Sequence, residues 1–152
     1  MRISLLFQLI FLAVACAGCS MMSAPDNLDL RLARPSARGV YLVTLQPPPE
    51  SVGVNRLHSW QLRIAAPDGS AVANASVRFD GGMPQHHHGF PTSPRVSADA
   101  GSGAYRIDGV KFSMGGWWEI KLAIDSSLGS DTVTFNTVLS DGGLLLPKAS
   151  LQ

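Results

Sequence analysis

Residues 117–124 read WWEIKLAI, and their alternation decides the fold. Trp118, Ile120, Leu122 and Ile124 share one parity, while Glu119, Lys121 and Ala123 take the other. A period of two is the pattern of a half-buried strand, whose successive side chains point to opposite faces. Downstream, DTVTFNTVL (131–139) repeats it, with Val133, Phe135, Thr137 and Leu139 against more polar neighbours. Upstream, RLHSWQLRIA (56–65) sets His58, Trp60, Leu62 and Ile64 on one face. In AYRIDGVKF (104–112) the apolar parity switches between Tyr105–Ile107 and Val110–Phe112. That switch predicts a bulge or tight turn at Asp108-Gly109, where one extra residue resets the register.

GVYLVTLQ (39–46), AVANASVRF (71–79) and the weaker PRVSA (94–98) bring the total to about seven short strands. They are punctuated by PPPE, PDG and AGSG, turn-forming clusters that stop one strand before the next begins. No segment carries a helical period over several turns, and 15 Gly with 10 Pro suit a turn-rich chain. The reading is all-β: an Ig-like antiparallel β-sandwich of about seven strands. Twelve Lys and Arg against 11 Asp and Glu leave no basic face for nucleic acid.

The N-terminus is of another kind. Arg2 precedes the apolar run ISLLFQLIFLAVA (3–15), as in a secretory signal. The run is shorter than the roughly 20 residues of a spanning helix. CAGCS (16–20) then places Ala17 and Gly18 before Cys19, like a bacterial lipobox, although Cys16 stands where Leu is expected. Residues 1–18 are read as a lipoprotein signal peptide, with Cys19 as the lipidation site and Cys16 as the weaker candidate. Residues 19–38, polar and Pro-containing, are read as a lipidated tether, 39–140 as the sandwich domain, and 141–152 as a C-terminal tail. Its Leu144–Leu146 patch either docks on the sandwich or frays. Acyl chains would hold the domain to a membrane surface. Ser20 points to the outer membrane, with the domain facing the periplasm. Both cysteines of the chain fall in this window, so a metal site in the domain must use His, Met or carboxylate.

One loop carries such residues. GGMPQHHHGFPTS (81–93) holds three consecutive histidines between strands. If Gln85 to Gly89 is extended, His86 and His88 point the same way and His87 points opposite, making His86 and His88 a chelating pair. Met83 just upstream adds a thioether, a poor ligand for zinc but a good one for copper(I). A histidine-rich tract is also compatible with a merely solvated loop. Zinc remains open, but a closed structural site would need further ligands. FSMGGWW (112–118) offers Met114, either a core filler beside aromatics or a second soft ligand. Trp117 and Trp118 differ in parity, which assigns Trp118 to the core and Trp117 to a surface. His58 reads as a partly buried histidine with a backbone partner. No Gly-x-Ser-x-Gly elbow, phosphate-binding glycine loop or HExxH is present, so no enzyme is expected.

GGMPQHHHGFPTSPRV (81–96) followed by GAYRIDGVKFSMGGWWEIKLAI (103–124) resembles the YtkA-like domain, related to FixH-type accessory proteins. That domain shows a Met-Pro-x-His-x-His-Gly loop, a Tyr-containing strand, and Phe-x-Met and Gly-x-Trp elements. The loop matches at Met83, Pro84, His86, His88 and Gly89, leaving His87 at the variable position. The later elements match at Met114 and Trp117. The resemblance implies an envelope-anchored Ig-like sandwich concerned with copper, Cu(I) favoured, or with assembly of copper enzymes. Met83, His86, His88 and Met114 are then the candidate metal ligands, and a copper-receiving envelope protein is the implied partner. The alternative is a non-metal Ig-like interaction module whose histidine loop and Trp117 contact a protein.

Overall fold

The computed structural model describes residues 24–99 and 101–146. The stretch read as a signal peptide, Cys16, Cys19 and the tail beyond Leu146 lie outside the described residues. Ten strands follow in order: β1 (Ala33–Pro35), β2 (Leu42–Gln46), β3 (Leu57–Ala65), β4 (Ser76–Met83), β5 (His88–Gly89), β6 (Arg95–Ala98), β7 (Ala104–Lys111), β8 (Gly116–Ser126), β9 (Gly129–Ser140) and β10 (Gly143–Leu145). Two antiparallel five-stranded sheets result, ordered β1-β2-β3-β7-β6 and β10-β9-β8-β4-β5. Among the described residues there is no helix, and none long and apolar enough to cross a membrane.

The apolar parities become the space between the sheets. Tyr41, Val43 and Leu45 of the β2 segment face inward with Trp60, Leu62, Ile64, Tyr105 and Ile107. Opposite them lie Trp118, Ile120, Leu122, Ile124, Val133, Phe135 and Leu139. Each large side chain buried this way contributes roughly 1.5–3 kcal/mol. The predicted bulge is present. Ser59 pairs with Asp108 but His58 pairs with Val110, and Gly109, skipped between them, has φ +86°. The resulting shift turns both Ile107 and Val110 into the core despite their opposite parity.

The three strands beyond seven are two or three residues long, too short for a periodic signature. β10 shows that the Gly143–Leu145 part of the tail docks, pairing with Val138–Ser140 of β9. β1 lies within the segment read as a tether. Residues 33–35, assigned to it by composition, pair with β2, and their flanks cover β9. Because β10 pairs only with the last residues of β9, the edge beyond them would expose unpaired backbone groups. The N-terminal segment meets that need. Ala37 N donates to Thr132 O at 2.8 Å, Arg34 Nη1 to Thr134 O at 2.6 Å, and Asn136 Nδ2 to Asp29 O at 3.1 Å.

A buried carboxylate fastens this segment. Asp131 accepts from Ser36 Oγ at 2.6 Å, Arg38 N at 3.0 Å, Val40 N at 3.3 Å and Thr132 N at 2.8 Å. Burial alone would raise its pKa. The Ser36 hydroxyl and the N–H groups of Thr132, Arg38 and Val40 outweigh that and lower it from 3.8 to about 2. A depressed carboxyl stabilises the fold above its unfolded pKa and loses that contribution as pH falls through the folded value. The urea midpoint should therefore fall between about pH 4 and pH 2, and Asp131→Asn should flatten this part of the profile. An unchanged profile in the variant would remove Asp131 as the latch.

Candidate functional site

Pro84 fixes the shape of the histidine loop. With φ near −65° it suits the second position of a β-turn, and the turn closes with His86 N donating to Met83 O at 3.1 Å. His87 follows at φ +53°, a left-handed conformation in which histidine is one of the more tolerated residues. The chain then re-enters the sheet, with Met83 paired to His88 and Gly82 to Gly89. The expected extended run from Gln85 to Gly89 is thus a tight hairpin. Pro84 and the left-handed His87 reverse the chain before any strand alternation can develop.

The two rings nevertheless come near each other by this other route. The rings of His86 and His88 lie 6.0 Å apart, 33° from parallel, and both residues are exposed. Nitrogen–metal bonds of about 2 Å put a ring centroid roughly 3 Å from the ion, so two imidazoles sharing one ion reach separations of about this size. His88 Nδ1 is 3.0 Å from Gly89 O. A carbonyl only accepts, so in the neutral ring this contact places the proton on Nδ1 and the lone pair on Nε2.

His88 also leans on the core. Its ring meets Trp118 edge-on at 5.5 Å, and the Trp118 indole N–H donates to Met114 O at 3.1 Å. Trp118 therefore joins the two candidate segments, with the histidine ring on one side and the Met114 turn on the other. Beneath it the rings continue through Phe90 at 4.9 Å and Phe112 at 5.4 Å. Parity placed Trp118 in the core but gave no sign of this role. Only the pairing Gly82↔Glu119, carried one residue further, aligns His88, Met83 and Trp118 in one row across β5, β4 and β8.

The two methionines exchange their expected settings. Met83 is 2 % exposed, and a Cβ on Gly116 would come within 2.9 Å of its terminal methyl. The thioether beside the histidines is thus a core group, whereas Met114 is 39 % exposed. Trp117 is half-buried, its indole N–H donating to Asn136 Oδ1 at 3.0 Å. His58 is buried and does not join the site. Its Nε2 lies 3.1 Å from Gly53 O, the backbone partner expected for it. His87 points toward a shallow depression beside Glu119 and Lys121, which pair with each other at 2.8 Å. Among the described residues, no three His, Cys, Asp or Glu side chains converge. A metal here would have two imidazoles and would need sulfur or an outside ligand to complete its shell.

A family model, described as YtkA-like, matches residues 37–123, from the first sandwich turn through most of β8. The chain belongs to the YtkA-like family. The match includes the histidine hairpin, Met114 and Trp118. Nothing matches the chain among curated proteins or among solved structures.

Proposed function

We propose that the chain is an envelope lipoprotein, anchored through Cys19 and facing the periplasm, that binds one copper ion at the hairpin and passes it to a copper-receiving envelope protein. The observation that carries this reading is the His86–His88 pair at 6.0 Å on an exposed turn, with the His88 Nδ1 contact to Gly89 O placing the lone pair of the neutral ring on Nε2. Met114 supplies the accessible soft donor, and Met83 joins only by leaving the core. Two imidazoles with a thioether favour copper(I), while a closed zinc site would need four ligands. Exposure suits transfer, since an incoming ligand can reach an ion held on a turn. The burial of Met83 favours the rival reading, an interaction module without metal.

The test is titration of the mature chain with Cys19→Ser, which removes the competing thiol, using copper(I) under reducing conditions and copper(II) and zinc separately. One equivalent of copper(I) should bind and be lost in His86→Ala/His88→Ala. Met114→Leu should weaken copper(I) more than copper(II), because a thioether prefers the softer ion. Binding unchanged in the double variant would sink the metal site and leave the interaction module.

A further inference from the structure

The chain enters the sandwich at a defined end. Followed backward from Ala37 to Asp29, its contacts climb β9 from Thr132 through Thr134 to Asn136. β1 runs the same way, Pro35 opposite Leu42 and Ala33 opposite Thr44, and Leu32 O then accepts from Leu45 N at 2.7 Å. This direction leads to the end where β8 begins at Gly116, which also holds the histidine hairpin and the Met114 turn. The β8–β9 turn, with Leu128, lies at the opposite end, about 35 Å away at the usual strand rise.

Apolar exposure gathers at the same end. Among the described residues, five of the seven exposed large hydrophobic ones are here: Val54 (40 %), Leu57 (68 %), Met114 (39 %), Leu145 (48 %) and Leu146 (54 %). Val54 bridges to Phe112, Leu57 pairs with Lys111, and Leu145 pairs with Val138, so they rim the mouth of the sandwich around the Met114 turn. Arg56 and Asp141 border one depression at this end, where β7 ends at Lys111 and the β2–β3 connection carries Glu50, so the charges here balance. An exposed apolar rim of this kind marks a surface that meets a partner or a membrane.

We infer that the histidine-bearing end of the sandwich lies against the bilayer that anchors the chain, with this apolar rim at the lipid–water interface. The inference rests on the acylation of Cys19 proposed above. Cys19 is ten residues upstream of Asp29, a reach of at most about 35 Å. The chain leaves β9 heading for the histidine end, which sets that end nearest the lipid unless the tether turns back past Asn136. Copper on His86 and His88 would then be presented to acceptors embedded in that membrane rather than to the open periplasm.

The test uses the full lipidated chain in phosphatidylcholine–phosphatidylethanolamine vesicles. With Cys19 acylated, Leu57→Cys, Leu145→Cys or Leu128→Cys introduces the single free thiol for a fluorophore, at positions exposed enough to accept it. Spin-labelled lipid should quench probes at 57 and 145 and leave 128 near background. Equal or reversed quenching, with fatty acid still present on Cys19, overturns the orientation and leaves the anchor standing. A Cys19 without fatty acid overturns both. Quenching at 57 and 145 in native membranes but not in protein-free vesicles overturns lipid contact in favour of an integral membrane protein.

Discussion

Gly81→Ala is expected to lower the melting temperature by more than about 10 °C, because the added methyl meets backbone rather than a movable side chain. Gly81 has φ +137°, a conformation L side chains rarely adopt, and its Cβ would overlap the Glu119 carbonyl of the neighbouring strand. Phe90 Cε2 closes the other side at 3.1 Å. Relief requires β4 to move away from β8, breaking the pairing that aligns Met83 with Trp118. Strain at such a φ costs about 1–3 kcal/mol, and overpacking against a fixed neighbour adds about 1–3 kcal/mol. Together they are a large fraction of the roughly 5–15 kcal/mol that holds a domain folded. Calorimetry of the variant decides the matter. A shift under about 3 °C would mean that the two strands have slack there.

Trp118→Ala should cost about 3–5 kcal/mol and weaken the copper binding proposed for the hairpin as well. The residue is fully buried and touches Phe90, Phe112 and His88, so truncation leaves a cavity directly under the histidine hairpin. It also strips the Met114 carbonyl of its indole donor. Trp118→Phe separates the two effects: it keeps most of the ring packing and loses the hydrogen bond, worth about 1 kcal/mol. Urea unfolding measures the first effect and copper(I) competition the second. If Trp118→Ala costs less than about 1 kcal/mol, the indole is not the support of this end. Full destabilisation with unchanged copper affinity would show that the hairpin holds its rings without it.

Much of the frame was legible residue by residue. Strand parity assigned Trp60, Ile120 and Phe135 to the core, and the switch at Asp108-Gly109 located the bulge. Side chains two apart must share a face once the backbone is extended, so the inference needs no tertiary knowledge. It failed where the backbone is not extended. At Gln85–His88, Pro84 and a left-handed His87 replace alternation with a turn, and the histidine pair arises from hairpin geometry. It also failed for β1, β5 and β10, whose two or three residues cannot display a period.

The sequence by itself therefore determined the sheet-forming segments, their buried faces and the residue types available to a metal. Those properties are local, set by a two-residue repeat and by the chemistry of His, Met and Cys. Only the tertiary structure decided that Met83 is buried while Met114 is exposed, that Trp118 links the histidine hairpin to the Met114 turn, and that residues 29–38 cap the edge of β9. Each of these depends on contacts between segments far apart in the chain. Such contacts follow from strand order and register, which a parity pattern leaves free.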